Sequence, residues 1–204
     1  MLDSKEQFSG EIMHLASLNP KEKTVAPFLI GLARDLREWQ ISRGIPISIE
    51  VGLRSGKERL LPSSARFSIG NEVGVDYGEF AEIDMGTVHL HPIPVPQSYQ
   101  DVAGFVYGRM YFNGVVDSSN NVYFLVRSNL ERQGGHALDL KALSGFINGN
   151  YASFLFNRFG LLRLLPGIET RRRLKIIQNF LKIVNVPARM LVGKLEDDQL
   201  TCYF

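Results

Sequence analysis

The chain is poor in the residues from which metal-rich and disulfide-rich proteins are built, because its 204 residues include one cysteine, Cys202, and four histidines. A single cysteine excludes an internal disulfide framework, a cysteine-rich zinc module and a Cys-x-x-Cys redox pair. Four histidines are too few for barrel hydrolases that use four or five as ligands. Any metal site must therefore combine few imidazoles with carboxylates. Cys202 falls in a strand-like pattern, and we expect it to be a small core residue.

Long apolar runs and an excess of one charge are also missing. No run approaches the ~20 apolar residues of a membrane-spanning helix, and the first twenty residues lack the apolar segment of a secretory signal peptide. These absences predict a cytoplasmic protein with no membrane partner. Lys plus Arg number 23 and Asp plus Glu 21, a net charge of +2. This balance does not favour nucleic acid as a partner.

Segments of helical and strand periodicity are mixed along the sequence, which predicts an α/β or α+β fold. Helices are predicted over 4–18, 24–43, 98–112 and 170–184. Strands are predicted over 45–54, 59–61, 85–89, 114–117 and 122–126, with a closing hairpin of 188–194 and 199–204. Gly44 follows the second helix as a predicted C-cap.

One segment carries a recognisable chemical pattern: His89-Leu90-His91-Pro92, followed by Ser98-Tyr99-Gln100-Asp101. Residues i and i+2 of a strand point to the same face, so His89 and His91 can converge on one ion. A carboxylate in the first turn of the next helix, Asp101, can complete a His-His-Asp site. Three protein ligands with a fourth position left for water are typical of a hydrolytic zinc.

Simpler explanations exist for each part of this pattern. Ser98-x-x-Asp101 is also a capping box, with a serine N-cap and an acid at the third helical position. Two other folds that use a His-x-His pair do not fit this sequence. A cupin needs a glutamate four or five residues after the second histidine, where this chain has Val95 and Pro96. A triple-histidine hydrolase needs a histidine at position 93, which is isoleucine.

The whole pattern resembles the JAMM/MPN family of zinc metalloproteases, whose motif is an upstream glutamate, then His-x-His-Pro, then Ser-x-x-Asp. The match covers about residues 83–126. Departures are a shorter loop before Asp101, and Leu90 where the family has a small hydroxyl residue. The resemblance implies an α/β fold with a mixed, curved sheet flanked by helices in cytidine-deaminase-like layers. It further implies one domain over 1–204, divided into a helical extension (1–44), a motif-bearing core (45–135) and a C-terminal elaboration (136–204).

The resemblance also implies roles for individual residues. His89, His91 and Asp101 would bind zinc, and Ser98 would stabilise the oxyanion. Glu50 is the best positional match for the catalytic base, on the polar face of the 45–54 strand. Its rivals are Glu72, Glu79 and Glu82.

The implied activity is hydrolysis of peptide or isopeptide bonds, with a ubiquitin-like or small-protein conjugate as a possible substrate. The alternatives are an inactive scaffold or interaction module, and less strongly a DNA-associated role.

Three further features are open to two interpretations. The basic run Arg171-Arg172-Arg173-Leu174-Lys175 is either a solvated helix face, which the small net charge favours, or a patch for nucleic acid or an acidic partner. The apolar segment 143–168 is either core or a homodimer surface. His136, in a glycine-containing loop, is either a surface loop residue, which we expect, or a residue that lines the cleft. We expect His14 to be structural or solvent-facing.

Overall fold

The computed structural model describes residues 25–56, 64–77, 84–107, 110–127, 169–183, 185–197 and 199–204. The predictions for 4–18, 59–61, 143–168, His14 and His136 lie outside these residues. The described elements, in chain order, are α1 (Val25–Ser42), β1 (Val51–Gly56), β2 (Ser64–Ile69), β3 (Asp84–Leu90), α2 (Tyr99–Tyr107), β4 (Phe112–Val116), β5 (Asn121–Arg127), α3 (Glu169–Ile183), β6 (Ala188–Lys194) and β7 (Thr201–Cys202).

The strands form one seven-stranded mixed sheet in the order β2-β1-β3-β4-β5-β6-β7. β3 and β4 are parallel, and α2 connects them, as a parallel pair requires a crossover. All other neighbouring strands are antiparallel. The predicted mixed sheet flanked by helices is confirmed at this level.

Helices cover both faces of the sheet, which β5 shows most directly. Val122, Phe124 and Val126 belong to the core on the α1 side. Tyr123 and Leu125 belong to the second core, with α2 and α3. Because successive side chains of a strand point to opposite faces, both sets are buried, which explains the unbroken apolar run of this strand.

Helix α1 agrees closely with its prediction. Its apolar stripe, including Leu29, Leu36 and Trp39, is buried against the sheet. Gly44 has a φ of 63°, and the amides of Gly44 and Ile45 donate to the carbonyls of Ile41 and Gln40. These are the two hydrogen bonds of a Schellman C-cap, which favours glycine because of its left-handed backbone.

The prediction for the first strand was wrong in its start and in its exposure. β1 begins at Val51, and residues 45–50 form turns and irregular chain. Arg54, on the predicted polar face, is buried. The reason is that the chain after β2 folds back over β1, where Arg54 donates to the Tyr77 carbonyl at 2.9 Å.

The helix predicted over 98–112 ends earlier, at Tyr107. Phe112 instead starts β4, where it is fully buried and pairs with Gly86 of β3. Phe112 is therefore apolar because it lies in a buried central strand. It does not belong to the apolar face of α2.

The closing hairpin is confirmed as β6 and β7. The expectation of a buried Cys202 was wrong, because this residue is exposed on the two-residue edge strand β7. An edge strand leaves one side of each residue open, and a periodicity of two cannot reveal this. Among the described helices, none combines the length and apolar character needed to cross a membrane.

Candidate metal centre

Strand alternation places His89 on the side of the sheet that carries α2. Val88 and Leu90 belong to the core on the α1 side, so His89 between them points to the opposite face. The residue is 5% exposed. Its Nδ1 finds no hydrogen-bond partner among the described residues, whereas its Nε2 faces the cluster described below.

His91 follows directly after β3, and backbone and side-chain contacts both hold it. Its amide donates to the carbonyl of Val116 at 2.8 Å, which extends the parallel pairing by one residue. Its Nδ1 lies 3.2 Å from the Val95 carbonyl. In the neutral ring that contact puts the proton on Nδ1, so the lone pair of Nε2 is available to a metal ion.

Asp101 sits in the first turn of α2, in the capping box that the sequence predicts. The Ser98 amide donates to its Oδ2 at 2.6 Å, and the Asp101 amide donates to Ser98 Oγ at 3.3 Å. The capping box and the metal-site hypothesis are therefore compatible, because the cap fixes the carboxylate in the orientation that reaches both histidines.

The three side chains converge closely. His89 Nε2 lies 2.9 Å from His91 Nε2 and 3.1 Å from Asp101 Oδ1, and His91 Nε2 lies 3.4 Å from Asp101 Oδ2. Two ligands about 2.0–2.1 Å from a tetrahedral ion are about 3.3 Å apart. The observed separations fit that spacing, so the cluster can hold a metal ion.

Charge makes the cluster receptive to a cation. Burial alone raises the pKa of Asp101, but the charge and hydrogen bonds of His89 and His91 outweigh it and hold that pKa well below the ordinary value. The group is therefore an anion at neutral pH. A buried carboxylate beside two imidazole nitrogens is a suitable ligand set for zinc and similar divalent ions.

Glu50, from a distant part of the chain, lies within electrostatic range of the same site. It lies directly before β1, and its backbone is held by the Asn71 carbonyl and the Gly70 amide, each at 2.9 Å. Burial raises the pKa of Glu50 to about 7, while the charge of His91 lowers it and that of Asp101 raises it. The side chain is thus within electrostatic reach of the cluster, with a pKa suited to proton transfer at neutral pH.

The other candidate glutamates have no comparable place near the cluster in the described residues. Glu72 is exposed in the turn after β2, while Glu79 and Glu82 lie outside the described residues. Glu50, in contrast, is half-buried, and after the larger effect of burial the charges of His91 and Asp101 also act on its pKa.

Tyr77 is a site residue that sequence reasoning missed. A Cβ on Gly52 would lie 2.3 Å from the Tyr77 hydroxyl, so the phenol occupies the space that a side chain at 52 would fill. Gly52 pairs with His89, which puts the phenol next to the metal cluster. Burial, together with the charges of Asp101 and Glu50, raises the pKa of Tyr77 well above its ordinary value. The one sequence signal was Gly52, because a glycine inside a strand often marks a place where another group approaches the backbone closely.

Gln97 is a second missed residue, and it anchors the proline-rich loop. The fully buried amide donates to the carbonyls of Tyr123 at 2.8 Å and Asn113 at 3.3 Å. These bonds tie the residue before Ser98 to β4 and β5. The start of α2 is therefore held against the sheet despite the shorter loop.

Comparisons with family models, curated proteins and solved structures found no match for this chain.

Proposed function

We propose that this protein is a zinc-dependent hydrolase of the JAMM/MPN type that cleaves peptide or isopeptide amide bonds. The observation that carries the proposal is the meeting of two independent parts of the sequence. The buried His-His-Asp cluster from β3 and α2 acts electrostatically on Glu50, which precedes by two residues the β1 glycine that pairs with His89. A structural capping box would need Ser98 and Asp101 alone.

Zinc fits the ligand set, and His89, His91 and Asp101 would hold it. When bound, zinc supplies Lewis acidity, which makes water a nucleophile at neutral pH and polarises the scissile carbonyl. Zinc rather than another divalent ion is part of the proposal, because two imidazoles and one carboxylate are a common set for hydrolytic zinc.

The other side chains then have distinct tasks. Glu50, as a carboxylate, would take the proton of the attacking water and return it to the leaving amine. Ser98 accepts from the Asp101 amide through its Oγ, so its own proton remains available to the developing oxyanion.

The proposed substrate is an amide formed by a small protein or ubiquitin-like conjugate. This substrate class comes from the resemblance of the motif to JAMM/MPN proteases. A peptide whose lysine side chain is acylated by a Gly-Gly-ended tail would test it, with a linear peptide of the same residues as the comparison.

The experiment compares the zinc-loaded protein, the chelator-treated protein and the Glu50→Gln variant on both peptides. We expect cleavage that zinc restores after chelation and that Glu50→Gln lowers by about 10²–10⁴-fold while zinc remains bound. Stoichiometric zinc binding without cleavage of either peptide would contradict the hydrolase and support an interaction module.

A further inference from the structure

Helix α3 carries a strip of exposed residues that takes no part in the site. Its opposite side packs into the second core through Leu174, Ile177, Phe180 and Leu181. The exposed positions, which we call the α3 strip, are Arg171, Arg172, Lys175, Asn179 and Lys182. At 3.6 residues per turn they fall within roughly 100° of arc and extend over about 16 Å.

Charge is concentrated on this helix. Five of the 23 basic residues and one of the 21 acidic residues lie in α3, so the helix carries +4 and the other 189 residues together −2. The small net charge of +2 therefore hides a strongly positive element on a slightly negative protein. The small net charge of the whole chain therefore does not exclude an anionic partner at this surface.

The positions of the arginines do not serve helix stability. Arg171 and Arg172 lie in the first turn of α3, where the helix dipole disfavours cations. Their solvent exposure also excludes a role in core packing.

The strip lacks what a protein or membrane partner would need. Protein interfaces centre on desolvated clusters of Trp, Tyr and Arg, and the strip offers two exposed arginines with no aromatic residue among its positions. Helices on membranes insert apolar residues. Four of the five strip residues are cationic and the fifth is an amide. The large exposed hydrophobic residues of the described chain, such as Ile69 and Val73, lie outside α3. A phosphate backbone requires cations and no apolar anchor.

We propose that the α3 strip binds the phosphate backbone of nucleic acid without sequence specificity. α2 and α3 pack in the same core on one face of the sheet. Bound nucleic acid would therefore lie on the side of the sheet that carries Asp101. This inference does not depend on hydrolytic activity.

The test measures anisotropy of a labelled 20-base-pair duplex of arbitrary sequence, titrated with the full chain at several NaCl concentrations. Arg172→Glu with Lys175→Glu changes the strip. Arg66→Glu with Lys194→Glu is the matched control, because both residues are exposed on the sheet and the total charge changes equally. Thermal unfolding checks that each variant is folded, and Lys175→Gln with Lys182→Gln repeats the test with a smaller change.

For the unmodified chain we expect log K to fall with log[NaCl] at a slope of about −3 to −4, from four cations. The strip variant should bind at least about tenfold more weakly at low salt and show a slope shallower by about two, while the control keeps the slope.

Three results would overturn the proposal. They are no binding by the unmodified chain at 50 mM NaCl, equal weakening by the strip and control variants, or binding to phosphatidylserine vesicles without binding to the duplex.

Discussion

The two halves of the candidate site are held in different ways. The ligand half, His89, His91 and Asp101, comes from 13 consecutive residues. Strand alternation and a capping box hold it, and both act over a few residues. The base half, Glu50, comes from 39 residues earlier. It depends on the register of β1 with β3 and on the chain that folds back from Gly70 to Tyr77.

Because different contacts hold the two halves, mutations can affect one half without the other. Changes in the ligand half should remove metal and activity together. Changes in the base half should remove activity and leave the metal bound.

The largest effect is expected from His89→Ala. Loss of one of three ligands should weaken zinc binding by more than the ~100-fold typical of an outer-shell change, and turnover should disappear with the metal. Zinc titration of the chelator-treated protein measures this. An exposed change on β2, Arg66→Ala, is the control. Unchanged zinc affinity in His89→Ala would contradict the assignment of His89, His91 and Asp101 as zinc ligands.

Glu50→Gln should next lower turnover by about 10²–10⁴-fold, because the general base is lost. Zinc stoichiometry should stay the same. Steady-state rates and metal content of the same sample provide both readouts. The matched variant is Glu72→Gln, at an exposed position, and equal loss in both variants would contradict the assignment of Glu50.

Two substitutions of Ser98 can distinguish its role as a helix cap from a role in catalysis. Ser98→Ala should cost about 0.5–2 kcal/mol of stability and, if the hydroxyl stabilises the oxyanion, about 10²-fold or more in turnover. Ser98→Gly should keep the cap to within a few tenths of a kcal/mol and still lose the turnover. Normal turnover in the glycine variant, measured beside urea unfolding, would leave Ser98 as a cap only.

Gly52→Ala should disturb the base half more than the ligand half. The new Cβ would meet the Tyr77 hydroxyl at 2.3 Å and two ring carbons at 2.7 Å, and such overpacking costs about 1–3 kcal/mol. We expect lower stability and lower turnover with normal zinc affinity. In a Tyr77→Ala background the same change should cost less, and additive costs would show that the two residues do not contact.

The smallest effect concerns pH. In the metal-free protein the pKa of Glu50 lies at about 7, above its ordinary 4.5, because burial disfavours the anion. The folded state therefore holds the proton more tightly, and the free energy of unfolding falls as pH rises from about 4.5 through about 7. Glu50→Gln should be more stable than the unmodified chain at pH 8 by about 1–2 kcal/mol, discounted for solvent screening.

Urea unfolding at pH 4 and pH 8 measures this difference. The two proteins should have the same stability at the lower pH, where Glu50 is protonated in both states. A gain for the glutamine variant that is independent of pH would contradict the burial of Glu50.

The same contrast explains what the sequence could predict. The geometry of His89, His91 and Asp101 followed from local rules, as did the Schellman cap at Gly44 and the α/β class. Tyr77 and Gln97 could not be found, because their contacts join segments that only the folded sheet brings together. Glu50 was selected by position, but it precedes the strand on whose polar face it was predicted.

Burial was the other limit. The alternation over 45–54 predicted a half-buried strand, yet Arg54 is buried because Tyr77 folds over it. Cys202 shows the opposite error on an edge strand. In both cases exposure depends on what covers the strand, which periodicity does not report.

The most direct test of the account is anomalous diffraction at the zinc edge from crystals of the zinc-loaded protein. The account predicts one zinc within about 2.0–2.2 Å of His89 Nε2, His91 Nε2 and an Asp101 oxygen, with the Glu50 carboxylate facing the open coordination position. Zinc bound at other residues, or an open position that faces away from Glu50, would contradict it.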